Sequence, residues 1–191
     1  MRININSTDA LFKIVIFGDG GVGKTTLVKR FMLGLYDVST TLTIGADFFV
    51  KRLHVDEVNV TLQIWDFGGE ERFRFLLPQY VAGSSGGIFM FDITRYTSLK
   101  NFDDWLEIFR EEYSNHRQSN NTLPIIMVGG KKDLEDMRSV EGNEAKEIVQ
   151  NQRLYKYREC SAKTGENVED IFEELTRELL RRVGIVNTKK I

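Results

Sequence analysis

The chain is poor in cysteine, histidine, proline and tryptophan, with one cysteine and two of each of the others among 191 residues. A lone Cys160 excludes an internal disulfide and fits a reducing compartment. With only His54 and His116 beside it, no cysteine-histidine ligand cluster is spelled out, so nothing points to zinc. No spacer rich in proline, serine or glutamine divides the chain. One domain able to bury a substantial core is therefore expected over residues 11–183, with an extension at 1–10 and a short tail at 184–191. Neither sign of charge is in excess, 26 basic residues standing against 28 acidic ones, which leaves no basic face for nucleic acid. Long apolar runs are missing too: the opening MRININSTDA has no signal-peptide core, and no segment reaches the length of a membrane span. Arg2 and the final NTKKI carry no lipidation signal. These absences predict a soluble cytoplasmic monomer without a direct lipid anchor, peripheral to membranes only through partners.

What is present is an alternation of apolar and amphipathic runs. LFKIVIF at 11–17 reads as a strand ending in glycines, and helical spacing follows at 24–33. FFVKRLHVD and VNVTLQIWDF are extended runs joined around Asp56 and Glu57, close enough to pair as a hairpin. GGIFMFDIT, PIIMVGG and YKYREC read as three further strands, with helical spacing near 98–114, 139–151 and 166–182. The pattern predicts an α/β fold with a mainly parallel six-stranded sheet, one antiparallel edge strand from the hairpin, and helices on both faces. Ligands of such sheets bind at the carboxyl ends of the strands.

The segment GDGGVGKT at 18–25 fits G-x-x-x-x-G-K-[ST] between an expected strand and an expected helix. Around Gly18, Asp19, Gly20, Gly21, Val22 and Gly23 the backbone can wrap a phosphate chain so that its N–H groups point inward, and the helix beginning near Thr25 and Thr26 adds its positive end. Lys24 would reach the β and γ oxygens and the Thr25 hydroxyl would ligate Mg²⁺. The base is addressed by KKD at 131–133: an ionised Asp133 accepts only, so it suits the adjacent N1–H and N2–H donors of guanine and would face the bare N1 acceptor of adenine. The stretch IWDFGGEERF at 64–73 has two parses. One is a kinase DFG, and the other is Asp66-x-x-Gly69, a sensor of a γ-phosphate. The kinase parse lacks a catalytic-loop Asp and Asn, a β3 lysine and a glycine loop of the right spacing. Phe67 then reads as an apolar gap-filler.

TIGADFF at 43–49, LQIWD at 62–66, ERFR at 71–74, FDIT at 91–94 and ECSAKTGENVEDIF at 159–172, taken with the phosphate loop, resemble a Ras-superfamily small GTPase of the Rab-like branch. The resemblance spans about residues 11–183 and implies a P-loop NTPase G domain that binds GTP or GDP with Mg²⁺ and hydrolyses GTP. It further implies that Thr43 binds Mg²⁺ and the γ-phosphate, that Gly69 gives its N–H to the same phosphate, and that Asp66 holds the metal's water shell. Tyr36 would lie across the guanine, with Lys131, Ser161, Ala162 and Lys163 completing the base pocket. Effectors would read the switch loops near 36–48 and 66–80, and an exchange factor and an activating protein are implied partners.

Three departures from that family bear on mechanism. Gly68 beside Gly69, where the family usually has Ala, is expected to loosen the second switch. Gly130 replaces the usual Asn of N-K-x-D, removing side-chain hydrogen bonds worth about 1 kcal/mol each. Faster-exchanging nucleotide with guanine preference intact is the expectation. Glu70 replaces the usual Gln, which orients the attacking water with its carbonyl and donates through its amide. Two outcomes are open for Glu70: it adds negative charge beside the γ-phosphate and slows hydrolysis, or it turns outward as the first acidic residue of a helix, favoured by the dipole. The function class likewise divides between a slow GTPase switch and a non-cycling module that holds guanine nucleotide with little hydrolysis.

Overall fold

A computed structural model describes residues 8–37, 42–116 and 122–186. Most of the expected extension and tail, and part of the first switch loop, lie outside them. Six strands, β1 (Ala10–Phe17), β2 (Ala46–Val55), β3 (Val58–Phe67), β4 (Gly86–Asp92), β5 (Ile125–Gly130) and β6 (Lys156–Glu159), form one sheet in the order β2-β3-β1-β4-β5-β6. All neighbours are parallel except β2 and β3, which pair antiparallel from Ala46↔Phe67 to Val55↔Val58. The sheet is thus the one expected, with its antiparallel strand at the edge.

Side-chain alternation along the central strands feeds two cores. Ile14, Ile16, Ile88, Met90, Ile126 and Val128 point to one face, under α1 (Lys24–Leu33) and the C-terminal helix Val168–Arg182, where Phe31 and Phe172 stack at 3.8 Å between centroids. Val15, Phe17, Phe89, Phe91 and Met127 point to the other, beneath the helix Phe102–His116 and its neighbours. A period of two with both faces buried is what makes these strands read as continuous apolar runs. The hairpin turn puts both Asp56 (φ 48°) and Glu57 (φ 66°) in the left-handed region. That is the I′ geometry matching strand twist, here made without glycine.

Helical boundaries differ from the periodicity. The stretch expected near 98–114 is two helices, Thr97–Lys100 and Phe102–His116, broken at Asn101. The helix expected from 139 begins at Gly142. Short helical turns at Leu77–Val81 and Lys132–Met137 were not expected, being too brief to show a period, while the helix left open after Glu70 is the brief turn Glu71–Leu76. No helix among the described residues is long and apolar enough to cross a membrane.

Candidate functional site

The phosphate loop leaves β1 at its carboxyl end. Gly18 lies at φ 130°, and a Cβ there would sit 2.2 Å from the Met90 carbonyl oxygen, so only glycine lets the loop pass β4 so closely. Gly23 turns left-handed at φ 103° and launches α1. Lys24 is buried, its ammonium donating to the carbonyls of Gly18 at 2.8 Å and Asp19 at 2.7 Å. Burial brings its pKa down to about 8, Asp66 and Asp19 hold it up, and Arg95 presses it down further. A cleft of about 300 Å³ opens over this loop. Gly20, Gly21, Gly23, Lys24, Thr25 and Thr26 form its floor, and Tyr36, Thr43, Gly69, Glu70 and Lys131 form its walls. Gly18, Asp19, Val22 and Asp66 lie behind that surface.

Three oxygens from distant parts of the chain meet at one end. The Thr25 hydroxyl donates to Asp66 Oδ2 at 2.5 Å and lies 2.7 Å from the Thr43 hydroxyl. Asp66 Oδ1 is buried with no hydrogen-bond partner, a costly arrangement for a carboxylate. Burial raises its pKa to about 6, with Thr25 and Lys24 pulling the other way. Hard oxygen donors around an unsatisfied carboxylate fit Mg²⁺ shared with phosphate. Among the described residues no group of three or more His, Cys, Asp or Glu could hold a metal alone.

The two switch segments close against each other and against the loop. Gly68 N–H donates to the Gly45 carbonyl at 2.7 Å, and a Cβ on Gly68 would meet the Thr43 carbonyl oxygen at 2.5 Å. A Cβ on Gly69 would lie 2.2 Å from the Asp19 carbonyl carbon. The glycine pair is therefore a contact surface as well as a source of freedom: in this arrangement it is clamped rather than loose. Phe67 is wholly buried between Tyr80 and Trp105, the gap-filling place expected for it. Glu70 precedes the turn Glu71–Leu76 in an extended conformation, makes no capping hydrogen bond, and lines the cleft. The first acidic residue of that turn is Glu71.

The base-end residues gather at the ends of β5 and β6. Ser161 Oγ donates to Asp133 Oδ1 at 2.6 Å, Lys163 Nζ stands 3.9 Å from Asp133 Oδ2, and Thr164 N–H donates to Ser161 Oγ at 3.1 Å. Ala162 sits in the loop between them. Lys131, left-handed at φ 66°, joins this cluster to the cleft and pairs with Asp92 at 2.6 Å. Burial opposes ionisation of Asp92, but hydrogen bonds from Lys131 and Thr94 outweigh it and hold its pKa below the usual carboxylate value. Cys160 beneath is buried and its thiol is pushed up to about 12, so it is not reactive.

Several residues around the site were not marked by the sequence. Trp105 donates Nε1–H to Asp19 Oδ1 at 2.9 Å, while Asn101 donates to Asp19 Oδ2 at 2.8 Å. Arg74 lies over the Trp105 ring and 3.5 Å from Asp19. Arg95 donates to the Gly20 carbonyl at 2.7 Å. Met90 brings its methyl to Gly23 and Gly130. Asp92 and Arg95 end β4 and follow it, and position at the carboxyl end of a central strand is the one signal that would have flagged them.

The model of the Ras family matches residues 13–181 of this chain. The Ras-related protein Rab-30 of Homo sapiens is 38% identical over 178 residues, covering 93% of this chain and 84% of its own. The Ras-related protein RABA1g of Arabidopsis thaliana is 35% identical over 173 residues, covering 91% and 76%. A strand-loop-helix turn of this spacing, two segments packed on it through Gly68 and Gly69, and relatives of this similarity agree: the chain belongs to the Ras family, as a Rab-like small GTPase.

Proposed function

We propose that this GTP-binding switch hydrolyses GTP slowly on its own, because Glu70 stands where the reaction needs a hydrogen-bond donor. The observation carrying the switch assignment is the Thr25 hydroxyl lying 2.5 Å from Asp66 Oδ2 and 2.7 Å from the Thr43 hydroxyl. A structural ligand alone would not call for an oxygen cluster that joins the loop to both switches.

In this reading the amides of 20–25 and the Lys24 ammonium bind the phosphate chain, and Asp133 selects guanine by accepting from N1–H and N2–H. Thr25 and Thr43 would hold Mg²⁺ directly and Asp66 through its water shell. The ion, when bound, neutralises charge on the β- and γ-oxygens. Gly69 N–H donates to the γ-phosphate, so GTP draws the second switch onto the loop and its loss after hydrolysis releases it. Exposed Leu42, Ile44, Phe48 and Phe75 flank the moving segments and would give an effector its apolar contacts. The Rab names of the relatives point to membrane traffic by analogy, with membranes reached through partners.

Glu70 keeps the acceptor that orients water and lacks the amide donor. Its charge at about 4 Å from a γ-phosphate oxygen, at an effective dielectric near 20, repels by about 4 kcal/mol as an upper range. At 1.36 kcal/mol per decade that corresponds to about a thousandfold slower hydrolysis. Nucleotide extracted from purified protein, then single-turnover hydrolysis by the parent and Glu70→Gln, tests this. The variant is expected to be faster, and equal rates would rule out the inhibitory role. The non-cycling alternative is favoured by Glu70 lining the cleft and by Gly130. It predicts bound guanine nucleotide with no turnover in either protein.

A further inference from the structure

Arg138 closes the short helical turn Lys132–Met137, its N–H donating to the Glu135 carbonyl at 3.1 Å. A guanidinium has five N–H donors in a planar fork, and here all five are taken. Nε and Nη2 donate to the two carboxylate oxygens of Glu135 at 2.7 and 2.6 Å. Nη1 and Nη2 donate to the two oxygens of Glu159 at 3.0 and 2.8 Å, and Nη1 donates also to the Val140 carbonyl at 2.9 Å. Glu159 is steadied in turn by the Tyr157 hydroxyl, which donates to its Oε1 at 2.6 Å. Side-chain exposure is only 13% for Arg138 and 17% for Glu159, so this half of the bridge escapes most of the screening that weakens surface pairs. The bridge joins the two segments that form the base end. Glu135 follows Asp133 by two residues in the turn, Glu159 precedes Ser161 by two residues at the end of β6, and Ser161 Oγ donates to Asp133 Oδ1 at 2.6 Å. The turn is tied at its start as well, where Lys132 N–H donates to the Cys160 carbonyl at 3.0 Å. Asp133 stands between these two ties, and Gly130 at the end of β5 brings no side chain to steady it.

We propose that Arg138 is a positioning residue for base selection: by fixing the turn Lys132–Met137 against the end of β6 it directs the Asp133 carboxylate, and with it the preference for a purine that carries a 2-amino group beside N1–H. The proposal rests on the reading of Asp133 as the guanine acceptor and adds what holds that acceptor in line. Two parallel hydrogen bonds to one carboxylate need both oxygens aligned at once, and each weakens steeply as its angle departs from linear. A turn released at its far end loses that double alignment before it loses a single bond. Hypoxanthine offers the comparison, since it keeps N1–H and the 6-carbonyl and lacks the 2-amino group. Loss of Arg138 should therefore cost a guanine nucleotide more than an inosine nucleotide. A tie that served only to hold the fold together would lower both affinities alike.

Dissociation constants for GTP and inosine triphosphate, and the thermal midpoint at matched nucleotide saturation, would be measured on the full chain for the parent, Arg138→Met, Arg138→Lys and Glu135→Ala. The parent should prefer GTP by about tenfold or more, the discrimination that one hydrogen bond to a charged acceptor supplies. Arg138→Met should cut that preference by about threefold or more. Arg138→Lys, with the charge and without the fork, should fall between it and the parent. Glu135→Ala removes an exposed carboxylate and leaves the fork on Glu159 in place, so it should lower the preference while the midpoint stays at the parent value. The parent's preference retained in Arg138→Met, or in Glu135→Ala, would overturn the proposal, and should Arg138→Met not fold, Glu135→Ala decides. A parent that binds both nucleotides equally would instead overturn the reading of Asp133, and the role of Arg138 with it.

Discussion

Replacing Gly130 with asparagine restores the side chain that the family uses at the end of β5, and the surroundings of Gly130 decide what that side chain would meet. A Cβ at Gly130 would lie 3.2 Å from the Val22 carbonyl oxygen, so an amide there has an acceptor on the phosphate loop. The same Cβ would lie 2.3 Å from the Met90 terminal methyl, which is buried and also packs toward Gly23. Asparagine gains one or two hydrogen bonds worth about 1 kcal/mol each, while overpacking a filled core costs about 1–3 kcal/mol. Gly130→Asn alone is therefore expected to leave nucleotide release and thermal midpoint near the parent values, or to worsen them. Met90→Val removes the obstructing methyl at a cost of about 1 kcal/mol. The double variant should release nucleotide several-fold more slowly than the parent, with a coupling energy of about 1–3 kcal/mol. Fluorescent-nucleotide release and thermal unfolding at matched nucleotide saturation measure both quantities, since bound ligand raises apparent stability. Additivity within about 0.5 kcal/mol, or full tightening by Gly130→Asn alone, would refute the claim that Met90 occupies the asparagine's place.

Gly69→Ala drives a Cβ into the Asp19–Gly20 peptide at 2.2–2.3 Å, so GDP binding should persist while GTP no longer closes the second switch. Limited proteolysis at 66–80 should then be equal with GTP and GDP. Glu57→Gly relieves a left-handed residue at the hairpin turn and should raise unfolding free energy by about 0.5–1 kcal/mol in denaturant titration. Glu174 accepts from Lys156 at 2.8 Å and from Arg158 Nε and Nη2. Burial acts to raise its pKa, but those hydrogen bonds prevail and hold it below the usual glutamate value. A depressed carboxyl stabilises fully above its unfolded pKa of about 4.3, and that contribution is lost as pH falls through the folded value. Glu174→Gln should therefore cost stability at neutral pH and match the parent in acid. A constant difference across the pH range would show that its charge is not what counts.

The sheet was legible because β1, β4 and β5 bury both faces and so read as unbroken apolar runs, while β2 alternates as an edge strand does. The loop at 18–25 was legible because its residues are contiguous and fit a spacing that wrapping a phosphate would impose. What could not be read joins residues far apart in sequence. Trp105 holding Asp19 and Arg95 reaching Gly20 depend on helix and turn placement that no local period encodes. The break at Asn101 was hidden for a related reason. Ser98 ties Thr97–Lys100 to the end of β4 by giving its hydroxyl to the Arg95 carbonyl and accepting from the Asp92 N–H, a placement that the helical period does not encode. Conformational freedom alone misjudges Gly68, because the crowding by Thr43 and Gly45 that rewards a missing Cβ is visible only once the two switches are placed together.

The departure from the family's wording at 130 becomes intelligible when it is taken with Met90 as a pair. A missing asparagine side chain at 130 would leave a hole between the base loop and the phosphate loop, and the Met90 methyl fills it from the same strand, β4. That compensation comes from β4, and the same strand supplies Asp92 to hold Lys131 at the base end. Substitution at one member of a pair therefore perturbs the site more than substitution at both. Swapping Gly130 to Asn with Met90 left in place should leave an overfilled core and yield a poorer switch than the Met90→Val, Gly130→Asn exchange.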